Sequence, residues 1–307
     1  MLKLDKNARL HGEPVRYVAM GDSFTEGVGD VDTDRPNQVR GWADRVAEAI
    51  GSVDAQAQYA NLAIRGLLMH QIVDQQLEAA LELRPNLVSF YGGGNDIISL
   101  NVNIDEIISH AERAFAALRA EGIEVLTITG LDVKGEGPFA RTRPRTALYN
   151  ELLRTVADKY GVHIIDYWRM DDFLDWRLWA DDRLHMNELG HQRFAYHVLT
   201  QFGLGHLAQD VNLIAGEEEP PPLRERVAES AYWVRTHALP WMGRQLTGRS
   251  LGDGLSARYP NLVPAAGLVR PGRPSESANA RRPALLAPNR QRRPHLPLPQ
   301  RLQQNLL

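Results

Sequence analysis

The sequence predicts an α/β fold: a five-stranded parallel sheet with helices on both faces. Three observations carry this. Short apolar runs alternate with helix-length stretches as βαβαβαβαβα, the order that parallel sheets require. The runs are unbroken rather than alternating polar and apolar, as befits strands buried on both faces. The stretches between them repeat apolar residues at helical spacing.

The first strand ends in Tyr17-Val18-Ala19-Met20 and stops at Gly21, with Ser23 two residues beyond and Gly27 and Gly29 in the turn that follows. Trp42, Val46, Ala49 and Ile50 space a helix. Residues 58–62 read as the second strand, followed by Ile64-Arg65-Gly66. Leu68, Ile72, Val73, Leu77, Ala80 and Leu81 form an amphipathic helix that Pro85 closes. Leu87-Val88-Ser89-Phe90-Tyr91 is the third strand and runs into Gly92-Gly93-Gly94-Asn95-Asp96. A helix through Ile107, Ile108, Ala111, Phe115 and Leu118 leads to the fourth strand, 125–129. Another, through Leu148, Leu152, Leu153, Val156 and Tyr160, leads to the fifth, 163–166. Asp182-Arg183-Leu184-His185 lies in a loop before a last helix, which Asn187 caps and which turns Phe194, Val198 and Leu199 inward.

The 307 residues suffice for one domain and an appendage. The main domain is expected at 1–215. A linker and helical extension packing on it are expected at 216–269, opened by Gly216-Glu217-Glu218-Glu219-Pro220-Pro221-Pro222 and carrying helices near Val227–Ala238 and Pro240–Gly243. From 270 to 307 the chain is rich in Arg and Pro without periodicity, which predicts a disordered tail. That stretch holds eight Arg and one Glu, so its charge opposes that of the body, although the whole carries only −3.

Such a modest net charge gives no reason to expect a nucleic-acid partner. The absence of cysteine removes disulfides, thiolate metal sites and a cysteine nucleophile together. No apolar run has the length of a membrane span and no signal peptide is visible, so a soluble cytoplasmic protein with no membrane partner is expected. The sequence is silent on oligomeric state.

Parallel strands share one carboxyl edge, where open α/β sheets place their chemistry. Ser23, Gly66 and Asn95 follow strands one, two and three, and Asp182 and His185 follow strand five. A hydroxyl, an imidazole, a carboxylate and two candidate oxyanion donors therefore converge, the set that acyl transfer needs. Taken singly, each has a plainer reading: a turn serine, a turn glycine, a loop asparagine, a surface histidine. Phosphate-binding and dinucleotide readings fail, because the Gly21–Gly29 stretch lacks both the Lys-Ser/Thr pair and a third glycine in register. A Gly-x-Ser-x-Gly elbow is also missing. His185, Glu188 and His191 match no metal-ligand motif, so no metal and no cofactor is expected. Trp168, Trp176 and Trp179 read equally as acyl-pocket walls or as core. No long insertion reads as a lid, so an open cleft suited to soluble esters is expected.

Four blocks, Gly21-Asp22-Ser23, Asn61-Leu62-Ala63-Ile64-Arg65-Gly66, Gly93-Gly94-Asn95-Asp96 and Asp182-Arg183-Leu184-His185, stand in the order and spacing of the SGNH (GDSL) hydrolases, which the chain resembles over about residues 14–205. The resemblance implies a flavodoxin-like α/β/α sandwich and an esterase acting on small or medium acyl groups. It implies Ser23 as nucleophile, His185 as base, and Asp182 as the orienting carboxylate in preference to Asp181. It further implies an oxyanion hole from the Gly66 and Ser23 backbone N–H groups and the Asn95 amide. The alternatives are an acyltransferase or thioesterase on the same residues, or a non-catalytic binding module.

Overall fold

Tyr17, Val18, Ala19 and Met20 are all buried, and successive residues face opposite layers. The computed structural model describes residues 2–99, 102–134, 139–208, 235–236 and 252–269. In it, β1 (Arg16–Met20) lies inside a sheet with β2 (Gln58–Asn61), β3 (Leu87–Phe90), β4 (Glu124–Ile128), β5 (His163–Ile165) and β6 (Tyr259–Pro264), ordered β5-β4-β3-β1-β2-β6. β1 pairs in parallel with β2 and β3, β3 with β4, and β4 with β5.

Alternation along the strands builds two cores. Tyr17, Ala19, Tyr59, Leu126 and Ile165 meet α2 (Trp42–Val53) and α7 (Glu188–Gln201) on one face. Val18, Met20, Ala60, Val88 and Val125 meet α3 (Met69–Glu82), α5 (Ile104–Ala120) and α6 (Arg143–Tyr160) on the other. The expected parallel strands and three layers are present, and the sheet gains a sixth strand. β6 runs antiparallel to β2, with Tyr59 opposite Val263 and a register shift between Tyr59 and Asn61. It covers what would be an open edge.

β6 comes from the stretch read as linker and helical extension. Of the helices expected there, only Arg235 and Thr236 fall among the described residues; the tail from 270 lies outside them. Beside the β2 pairing, close backbone packing and a buried ion pair help seat the 252–269 segment. Gly51 of α2 touches the Ala265 backbone so closely that a Cβ there would lie 2.4 Å from the Ala265 carbonyl carbon. Arg258, its side chain fully buried, pairs with Asp44 of α2 (Nη2–Oδ2 2.6 Å) and donates from Nη1 to the Glu26 carbonyl at 2.7 Å. A buried charge of this kind is tolerated only when paired and hydrogen-bonded, and Asp44 also accepts from the Tyr59 hydroxyl at 2.8 Å. No helix among the described residues is long and apolar enough to cross a membrane.

Candidate active site

The turn after β1 is locked before the site is built. Gln76 of α3, buried, accepts from the Gly21 N–H at 2.8 Å and donates to the Gly21 carbonyl at 2.9 Å. A Cβ at Gly21 would lie 2.6 Å from Thr25 Oγ1, so a side chain there would push the turn open. A short helix, α1 (Ser23–Glu26), then begins at Ser23, with Asp22 capping it by accepting from the Phe24 N–H at 3.0 Å. Phe24 anchors the turn in an aromatic cluster, its ring 4.4 Å from Tyr91 and 4.9 Å from Phe194 between centroids.

The histidine arrives on the long connection between β5 and α7. Gly29 lets that loop approach the nucleophile loop: at φ +102°, a Cβ there would lie 2.0 Å from the Met186 carbonyl oxygen. His185 Nε2 sits 2.9 Å from Ser23 Oγ, and its Nδ1 sits 2.6 Å from Asp182 Oδ2. Asp182 Oδ1 meanwhile accepts from the backbone N–H groups of Leu184 and His185, both at 3.0 Å. Burial by itself would raise the Asp182 carboxyl. The His185 hydrogen bond and charge, with those two N–H groups, outweigh it and hold the carboxyl down to about 2.

The opposite side of the site carries the amide. Between β3 and α5 lies α4 (Gly94–Ile98), and from it Asn95 Nδ2 donates to the Leu67 carbonyl at 3.0 Å and reaches Asp22 Oδ2 at 3.4 Å. The next residue, Asp96, accepts from the Met69 N–H at 3.0 Å, so the loop carrying Asn95 is tied to the loop carrying Gly66. Gly66, at φ +83°, is not among the residues lining the cleft. It is held through its neighbours Arg65 and Leu67.

His185, Asp182 and Ser23 are thus directly bonded, and Asn95 joins them through Asp22. His191 does something else. It accepts from the Trp42 N–H and donates to the Val28 carbonyl, both at 3.2 Å, and burial pushes it down to about 3, so it stays neutral. Glu188 is exposed and faces Arg45 at 3.7 Å. Trp176 and Trp179 line the cleft, whereas Trp168 lies under the Arg143 guanidinium.

Residues 19–193, more than half of the chain, match the GDSL-like lipase/acylhydrolase family. The chain belongs to that family. A search of the curated proteins gives no match. Among solved structures, it is similar to LAE5, described as an alpha/beta hydrolase from the metagenome of Lake Arreo, Spain, at 19% identity and TM-score 0.53 over 62% of this chain and 96% of that one. It is similar as well to a catalytic mutant of Axe2, an acetylxylan esterase from Geobacillus stearothermophilus, at 16% identity and TM-score 0.53 over 64% and 97%. A third is the acetyl xylan esterase AlAXEase, at 18% identity and TM-score 0.50 over 61% and 99%. At such identities these structures establish the fold.

This GDSL-like acylhydrolase also holds site residues that sequence reasoning passed over. Glu26, fully buried, accepts from Arg65 at its backbone N–H (2.7 Å), Nε (3.0 Å) and Nη2 (2.7 Å), and from Asn37 Nδ2 (3.0 Å). The carboxylate three residues after Ser23 therefore fixes the residue just before Gly66. The available signal was an acid three residues past the first block and an arginine inside the second. Asp22 stands in the sequence only as the middle residue of the first block. Burial raises it to about 7, against smaller opposing effects of the Phe24 N–H and the His185 charge.

Proposed function

We propose that this acylhydrolase cleaves carboxylic esters of small or medium acyl groups through a Ser23–His185–Asp182 triad and an acyl-enzyme. The observation that carries the reading is the unbroken chain of contacts from Ser23 Oγ to His185 Nε2 (2.9 Å) and from His185 Nδ1 to Asp182 Oδ2 (2.6 Å). His185 takes the Ser23 proton as Oγ bonds to the ester carbonyl carbon. We assign the tetrahedral oxyanion to the Ser23 backbone N–H and to the Asn95 amide on its release from the Leu67 carbonyl, with the Gly66 N–H, which does not line the cleft here, reaching it on movement of its turn. The carbon–oxygen bond to the alcohol then breaks, and His185 returns the proton to the leaving alkoxide. Water, deprotonated by His185, attacks the acyl carbon and releases the acid and a free Ser23. Asp182 stays ionised throughout, and its low proton affinity suits a group that stabilises the imidazolium without taking its proton.

The test is Ser23→Ala on p-nitrophenyl acetate and butyrate beside the parent protein. Turnover falling to the buffer rate is expected. Unchanged turnover would remove Ser23 from the mechanism.

A further inference from the structure

The family match ends at residue 193, yet the segment 252–269 touches the loops that carry the site. Arg258 binds the turn that begins at Ser23. α1 is a single turn of four residues, too short to hold itself, and the last carbonyls of a helix have no partner within it. Arg258 supplies one. Its Nη1 donates to the Glu26 carbonyl at 2.7 Å, and its Nε donates to the Pro36 carbonyl at 3.2 Å. Asp44 balances the buried charge.

Six residues earlier, Gly252 lies on the turn that carries Gly66. A Cβ added to it would run into the Arg65 carbonyl and would stand 2.8 Å from Ile64 Cγ2. Between these two points the Ser256 carbonyl accepts from Asn37 Nδ2 at 3.2 Å, and the same amide donates to the Glu26 carboxylate that grips Arg65. The nucleophile turn and the Gly66 turn must stand in register for acyl transfer, and both bear on one short piece of chain.

Covering the β2 edge requires none of these contacts. Apolar side chains in place of a buried ion pair often leave a fold as stable or more so. What the guanidinium supplies that they would not is a rigid fork of donors on two main-chain carbonyls beside the nucleophile. We propose that residues 252–258 position the catalytic groups: Arg258 sets Ser23 through the Glu26 carbonyl, and Gly252 sets Gly66 through the Arg65 carbonyl. This rests on the esterase reading of the site and adds positioning residues from beyond the family-matched region.

The experiment measures kcat and KM on p-nitrophenyl acetate for the whole chain as parent, Ser23→Ala, Arg258→Lys, Gly252→Ala and Val263→Ala. Urea unfolding of each gives the folded fraction. Val263 faces Tyr59 near the end of β6 remote from Arg258, so its truncation is the control for lost stability alone. In Arg258→Lys and in Gly252→Ala, kcat per folded molecule should fall about tenfold to a hundredfold with KM changed less than about twofold, because a small misplacement of reacting groups costs rate rather than binding. Val263→Ala should unfold at lower urea and keep its kcat per folded molecule within about twofold of the parent. Unchanged kcat in either positioning variant while it is folded overturns the proposal and leaves the triad standing. So does an equal loss in Val263→Ala. If Arg258→Lys does not fold, Gly252→Ala decides alone. Hydrolysis that persists in Ser23→Ala defeats the esterase reading itself.

Discussion

Two aspartates border the candidate nucleophile, and the structure drives them in opposite directions. Asp182, on the histidine loop, keeps its side chain 29% exposed and gathers an imidazole and two backbone N–H groups; it is held down to about 2. Asp22, beside Ser23, is 2% exposed, has one close backbone donor and a distant amide, and is raised to about 7. Both are the same residue type within one small site. The number of donors that reach each carboxylate, set against the water each has lost, decides which one stays charged. The carboxylate on the histidine loop is thus held as an anion, whereas burial raises the one beside Ser23 to about 7.

The largest expected consequence lies on the histidine side. Asp182→Asn preserves shape but removes the charge that orients and stabilises the imidazolium; kcat for p-nitrophenyl butyrate should fall about 10⁴-fold with a smaller change in KM. A loss below tenfold would mean that Asp182 is a loop acid and nothing more.

Next in size is the pH dependence of stability at Asp22. Its folded-state affinity for a proton exceeds that of the unfolded chain, whose ordinary value is 3.8. Between pH 4 and 7 the native state binds more protons, so stability declines as pH rises through that window. Asp22→Asn removes the decline, and urea unfolding should show the variant gaining on the parent between pH 4.5 and pH 8. Asp182 has the reverse sign. Its lowered value stabilises the fold by about 2 kcal/mol above pH 4 and loses that contribution as pH falls toward 2, so the Asp182→Asn deficit should shrink in acid. Parallel pH trends for the two variants would erase the contrast between these carboxylates.

How far the sequence displayed all this follows from how local each feature is. The parallel strands were legible because each is a short apolar run buried on both faces, and Val18 and Met20 need no distant partner to be recognised. β6 was hidden by Pro260 and Pro264, which argue against a strand except at an edge, and an antiparallel edge is where it sits. Ser23, Asn95, Asp182 and His185 could be picked out as candidates because three short blocks carry them and topology brings the loops to one rim. The support beneath them was not. Arg258 meets Asp44 across 214 positions, and the Glu26–Arg65 pair spans 39; no periodicity announces a buried ion pair. The connection between β5 and α7 showed no lid in sequence. It folds into successive 3₁₀ turns, Tyr167–Arg169, Asp171–Leu174 and Trp176–Leu178, and the last two place Leu174 and Trp176 at the cleft.

The central claim is that the Ser23 hydroxyl is activated by His185. Treatment of the folded protein with a fluorophosphonate probe, followed by peptide mass mapping, tests it most directly. One adduct per chain, on the peptide containing Ser23 and absent from Ser23→Ala, is the predicted result. An adduct on another residue, or none on protein that still hydrolyses esters, would contradict it.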